Sequence, residues 1–289
     1  MPSKSVATRK RNICWRAFNF PDLAPDPEAG DIVAMMECYF DETESQDDSE
    51  FIAVSGYLFT KENALALDNE WRDFLTKFGT DGVPLRYFRM SSCAHGNEPL
   101  DKLSSIKRDE AGRAAIRIIK KHMTHGFSTS VRIKDYREWL PTGHNTIGDA
   151  YIWCCWMSLI GIRVWGDRNK FDGKIAYFFE AGHEHQTQAN RVMNRIFKNS
   201  LFRQQYRYAS HAFVAKETNR PVQTGDVLAW HHLQDYKKYL DGKPRRKDFA
   251  ALLDGDENKY SVLHGKKELF DDLRKVGQVV EMLRSLKDT

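Results

Sequence analysis

At 289 residues, 41% of them apolar, the chain can build one large core or two small ones. Its formal charge of +4 lies wholly in residues 1–12, where Lys4, Arg9, Lys10 and Arg11 meet no acid; the rest balances 40 basic against 40 acidic residues. That excludes a folded body with a strong overall field for nucleic acid, so any such contact must come from a local patch or from the tail.

Five cysteines, Cys14, Cys38, Cys93, Cys154 and Cys155, form no C-x-x-C pair. They read as reduced, buried thiols in a cytoplasmic protein, not as a thiolate metal site. The basic start is not followed by an apolar run, so it lacks the signal-peptide pattern. Residues 151–165 (YIWCCWMSLIGIRVW) are the most apolar stretch. They fall short of the roughly 20 residues needed to span a bilayer and contain Arg163, which predicts a buried helix and no membrane span.

In chain order, residues 1–30 read as an appendage. The basic start precedes a Pro-Asp-Ala stretch, PDLAPDPEAGD, that resists regular structure. It is either a phosphate-contacting tail or an end with no role. Residues 31–289 read as one domain. Strands are predicted at 32–42 and 51–60, joined by the polar loop TESQDDS as an antiparallel hairpin. A helix from 62 to 78 follows, with Leu67, Trp71, Phe74, Leu75 and Phe78 at helical spacing and Gly79 as its stop. A short strand is expected at 87–90, a helix at 104–125 and a strand at 127–133. The buried helix covers 147–165, and KIAYFFE at 174–180 is a strong strand. Then come an amphipathic helix at 184–198, a strand at 206–214, and helices at 223–240 and 245–254. A final docking helix at 266–286 carries Leu269, Leu273, Val276, Val280 and Leu283. A hairpin followed by alternating helices and strands predicts a mixed α/β sheet covered by helices.

Three acids stand at the ends of apolar elements. Asp41 closes the first strand in MECYFDET, with Glu42 beside it. Glu180 closes KIAYFFE. Asp226 begins a helix and shares the apolar face of Trp230 and Leu233 at i+4 and i+7. Neighbours on a strand point to opposite faces, so Asp41 and Glu42 are not expected in one site unless the strand bends. Each acid also has an ordinary explanation: a helix dipole for Asp226, an arginine partner for Glu180, a loop cap for Asp41. Gathered together, they suit a hard divalent cation such as Mg²⁺, which takes oxygen ligands and keeps waters for a phosphate substrate. Two such ions about 4 Å apart can activate water and stabilise the leaving oxygen of a phosphodiester.

YFDET, followed by the hydrophobic strand FIAVSGYLF, resembles the Y-h-D-E-S-G opening of the domain of unknown function 3800 family. The stretch beginning PVQTGDVLAWHHLQDY is similar to its L-Q-x-A-D-h-h-A segment, and IAYFFEAG fits its middle acidic strand. The resemblance runs in order over roughly residues 33–285, on short motifs. It implies a ribonuclease-H-like mixed sheet with helices on both faces, and Asp41, Glu180 and Asp226 as the metal-binding cluster. Glu42 matches the second acid of the opening motif. Family members are regarded as nucleases, some in mobile-element or phage-defence settings. This chain departs from the pattern at Thr43-Glu44, at Thr224-Gly225, and at Arg89, where a histidine is expected.

Around these acids, Arg191, Arg195, Lys198, Arg203 and Arg207 lie in a span with no acid after Glu184. Arg191, Arg195 and Lys198 step by four and three, so one helix face could cradle a phosphate backbone or simply be solvated. His183, His185, His231 and His232 fit no standard zinc spacing. His211 precedes Asp226 on a strand and is a candidate for assisting proton transfer. No P-loop, dinucleotide-binding glycine pattern or nucleophile elbow occurs. The acids and the family resemblance together imply Mg²⁺- or Mn²⁺-dependent cleavage of nucleic acid as the expected activity. Asp41, Glu180 and Asp226 would ligate metal, supported by Glu42. The alternative is a retained fold that binds nucleic acid or a protein partner without catalysis.

Overall fold

The computed structural model describes residues 35–44, 50–139, 149–253 and 259–265. The N-terminal tail and the final helix anticipated at 266–286 lie outside these residues. The elements run β1 (Met35–Glu44), β2 (Phe51–Thr60), α1 (Lys61–Lys77), α2 (Met90–His95), α3 (Ser105–His122), β3 (His125–Arg132), α4 (Ile133–Trp139) and α5 (Ala150–Arg168). They continue with β4 (Lys174–Glu180), α6 (Gln186–Ile196), α7 (Ser200–Gln205), β5 (Tyr208–Val214), a 3-10 turn (Arg220–Val222), α8 (Gln223–Leu240), α9 (Lys247–Leu253) and β6 (Tyr260–His264).

The strands form one six-stranded sheet in the order β5-β4-β1-β2-β3-β6. β1, β2 and β3 make an antiparallel meander, and β4 joins β1 in parallel on its other side, followed by β5, also parallel. This is a mixed α/β sheet. Helices cover both faces. Tyr39, Tyr57 and Phe59 pack with Leu67, Trp71 and Phe74 of α1, Ala111, Ala115 and Ile119 of α3, and Val227, Leu228 and Trp230 of α8. On the opposite face α5 lies across β2 and β3. Ser158 donates to Thr129 Oγ1 at 3.5 Å there.

Local chemistry sets the helix starts. Thr60 caps α1 by accepting from the Asn63 N–H at 3.2 Å, and Asp149 caps α5 through the Tyr151 N–H at 2.9 Å. Most of α5 is buried around its whole circumference, as its composition demands. Among the described residues no helix is long and apolar enough to cross a membrane. Cys38, Cys93, Cys154 and Cys155 are free, buried thiols whose pKa values burial pushes up.

Two expectations are corrected, and one strand is added. Residues 87–89 form no strand, and Met90 opens α2. The Phe88 N–H goes to Gln223 Oε1 at 3.0 Å and the Met90 N–H to the Asp226 carboxylate, so the backbone of this aromatic run is used by side chains. Strand β6, parallel to β3, was not anticipated. The helix expected over 184–198 ends at Ile196 and is followed by α7.

One glycine sets the distance between α8 and the sheet. A Cβ at Gly225 would lie 2.7 Å from both Asp41 N and Ser55 O, and 3.0 Å from Asp41 Cβ. Only a bare backbone lets the helix start sit on β1 and β2 this closely. Gly225→Ala is expected to destabilise the fold by about 1–3 kcal/mol through overpacking. Urea unfolding measures this, and an unchanged midpoint with unchanged slope would mean the approach is looser than described.

Candidate active site

β1 and β4 run in parallel and stay in register up to the pair Phe40↔Phe179. The next residues, Asp41 and Glu180, fall side by side where this ladder stops. Parallel strands bring their carboxyl ends to one edge, where a crevice opens between diverging connections. Asp41 is 2% exposed and Glu180 6% exposed. Glu42, half-buried, donates its backbone N–H to Asp41 Oδ1 at 2.7 Å. One carboxylate oxygen from each of Asp41, Glu42 and Glu180 lies within 4.8 Å of the other two. Pleat alternation argues against placing Asp41 and Glu42 in one site. The structure nevertheless brings one carboxylate oxygen of each together at the end of β1.

Asp226 is not part of this three-residue group. It approaches Asp41 from the helix side, in the first turn of α8, 3% exposed, and accepts the Met90 N–H. Burial first, then the Asp41 charge, push its pKa up to about 7, against the Met90 N–H, Lys216 and Arg89. Burial likewise pushes Asp41 up to about 6, opposed first by the charge of Lys216. Asp41 Oδ2 is buried and has no hydrogen-bond partner. A buried carboxylate left this way is costly unless a cation compensates it.

Sequence reasoning missed the cation that is present. Lys216, 8% exposed, follows β5 and forms an ion pair with Glu180 Oε1; its Nζ stands 3.9 Å from Asp41 Oδ2. The ammonium lies 5.6 Å from the centroid of the Tyr87 ring. Val214, the last residue of β5, pairs with Glu180, and Lys216 follows it by two residues, a placement that only the strand register reveals.

Gln223, fully buried, ties the surrounding segments together. Its Oε1 accepts from Trp71 Nε1 at 2.9 Å and from the Phe88 N–H at 3.0 Å, while its Nε2 donates to Lys216 O at 2.6 Å. One side chain thus fixes α1, the strip before Met90 and the lysine loop. Arg89 is exposed, and its charge favours the ionised forms of Asp41 and Asp226.

The other sequence candidates are not in this cluster. Tyr208 Oη and His211 Nδ1 are 2.7 Å apart, and His211 Nε2 lies 2.9 Å from Asn190 Oδ1. His211 pairs with Tyr177 in register, which places it on the sheet face opposite Asp41. Arg191 and Arg195 are exposed on α6, whereas Lys198 lies beyond the end of that helix. His183 stacks on Tyr151 at 3.8 Å, and His232 is engaged by Ser128 at 2.5 Å and His264 at 3.0 Å. Among the described residues the histidines form no metal-ligating group.

No protein-family model matches the chain, and no curated protein does. Among solved structures it is similar to a chain of a PCNA:RNase HII complex from Archaeoglobus fulgidus, at 12% identity and a TM-score of 0.36. That similarity covers 72% of this chain and 77% of the other. A likeness this slight carries no function across.

The Asp226 environment fixes a sign for pH dependence. Its folded pKa, about 7, lies above the ordinary value of 3.8, so ionising it penalises the folded state. The deficit builds as pH rises from about 4 to 7 and is constant above that. Asp226→Asn keeps an acceptor for the Met90 N–H. In chelator at pH 8 it is expected to be more stable than the wild type by on the order of 2 kcal/mol, a gap that shrinks as pH falls towards 4. Parallel urea melts of the two proteins across this range measure it, and a pH-independent gap contradicts the raised pKa.

Proposed function

We propose that the chain is a divalent-metal-dependent nuclease that hydrolyses phosphodiester bonds in nucleic acid, and a member of the domain of unknown function 3800 family. The observation that carries this is the convergence of Asp41, Glu42 and Glu180 within 4.8 Å at the ends of two parallel strands. The donor set fits the ion: all ligands are carboxylate oxygens, as Mg²⁺ or Mn²⁺ prefers, and Asp41 Oδ2 is buried without a hydrogen bond. Asp41, Glu42 and Glu180 would hold the ion, with Asp226 facing them from α8. When bound, such an ion lowers the pKa of water and stabilises a leaving oxygen.

The chain's own residues do the rest. The Phe88 and Met90 backbone, held by Gln223 and Asp226, runs beside Asp226. Arg89, exposed between them, would meet a phosphate oxygen. Arg191 and Arg195 on α6, which begins six residues after Glu180, would hold the strand further out, with salt-sensitive contacts. The activity is tested by incubating labelled single-stranded RNA, duplex DNA and an RNA–DNA hybrid with the protein in Mn²⁺, Mg²⁺ or chelator. Cleavage that requires the ion supports the proposal, and no cleavage of any substrate under any condition rejects it.

One observation favours a second reading, a non-catalytic scaffold that binds nucleic acid or a protein. Lys216 already neutralises part of the cluster. If millimolar Mg²⁺ or Mn²⁺ neither binds nor raises the melting temperature, the scaffold is the better account.

A further inference from the structure

We propose that Lys216 is a tethered occupant of the cation position between Glu180 and Asp41, and that a divalent ion enters the site by displacing its ammonium. This rests on the metal site proposed above and adds a residue to it. The ammonium is paired with Glu180 Oε1 and stands 3.9 Å from Asp41 Oδ2. These carboxylates supply two of the three converging groups. An ion using them meets the lysine already there.

The lysine is held in place by more than charge. Its backbone carbonyl accepts from Gln223 Nε2 at 2.6 Å, its ammonium lies near the Tyr87 ring, and its side chain is 9% exposed. Burying an ammonium is unfavourable unless its partners are close and well placed, and here they are. The arrangement solves a problem of the ion-free protein. Asp41, Glu42 and Glu180 converge, and Asp226 faces Asp41 from α8, so like charges gather in one place. A built-in positive charge lets the chain fold before any ion arrives. The same charge then opposes uptake, so the site fills only when ion binding outweighs the lost Lys216 pairs. Arg89 also acts on Asp41 and Asp226, but it is exposed and sits in no carboxylate pair among the described ion pairs. It provides a control for simple removal of a nearby positive charge.

The experiment is a calorimetric titration of Mn²⁺ into wild type, Lys216→Met, Arg89→Met and Asp41→Asn, with melting temperatures in chelator and in Mn²⁺. Lys216→Met is expected to bind Mn²⁺ at least about tenfold more tightly than wild type, and Arg89→Met within about threefold of it. In chelator Lys216→Met should melt about 5 °C or more below wild type, and Mn²⁺ should close that gap. Lys216→Gln, which retains an N–H donor towards Glu180, serves where Lys216→Met does not fold. Equal tightening by Arg89→Met, or unchanged affinity in the Lys216 variants, overturns the displacement proposal while Asp41-dependent binding leaves the metal site standing. Mn²⁺ binding that is absent, or insensitive to Asp41→Asn, overturns both.

Discussion

Asp41→Asn should lower metal-dependent cleavage by about a thousandfold or more, equivalent to about 4 kcal/mol of transition-state stabilisation. Asp41 is the acid on which the geometry converges. It is the member of the Asp41, Glu42 and Glu180 group that also faces Asp226, and its Oδ2 is buried without a hydrogen bond. The fold should survive the change. The amide oxygen can keep the Glu42 N–H, Lys216 keeps Glu180, and a carboxylate that burial had pushed up to about 6 is replaced by a neutral group. The measurement is initial rate on whichever substrate the wild type cleaves, beside a thermal melt in chelator. Wild-type rates from a well-folded Asp41→Asn would remove Asp41 from the chemistry.

The second large effect is on stability. Gln223→Leu should cost about 3–5 kcal/mol. The substitution conserves bulk but leaves the Trp71 indole N–H, the Phe88 N–H and the Lys216 carbonyl without their partner, each worth about 1–3 kcal/mol when stranded in the interior. The loss should also show in ion binding, since the same amide fixes the segment that carries Met90 and the loop that carries Lys216. Urea unfolding measures the stability term, and a change below about 1 kcal/mol would mean that these groups find other partners.

What could be read in the sequence follows from how strongly each residue declares its surroundings. Asp41 and Glu180 end runs of apolar and aromatic residues, which strand alternation makes visible. Asp226 shares a helical face with Trp230 and Leu233. The hairpin of β1 and β2, the buried α5 and the strand KIAYFFE follow from pattern alone. Lys216 was not legible in the same way: a lysine just past a strand is ordinarily solvated, and only the register of β4 with β5 turns it inward. Tyr87, Phe88 and Arg89 look like strand residues by composition, yet the run hydrogen-bonds to side chains distant in sequence. β6 is a five-residue segment whose surroundings come from β3, far back in the chain. His211 shows the opposite error. It stands on a strand near the site in sequence, but one pleat position sends it to the other face.

The carboxylates reach their corner from the first strand, the fourth strand and the eighth helix. A chain still emerging from the ribosome therefore holds only part of the set until α8 has been made, and a product truncated before Gln223 lacks both Asp226 and the amide that fixes Lys216. Such a fragment would carry acids without their geometry. A complete chain and an unfinished one would thus differ sharply in whether they retain an ion through dialysis.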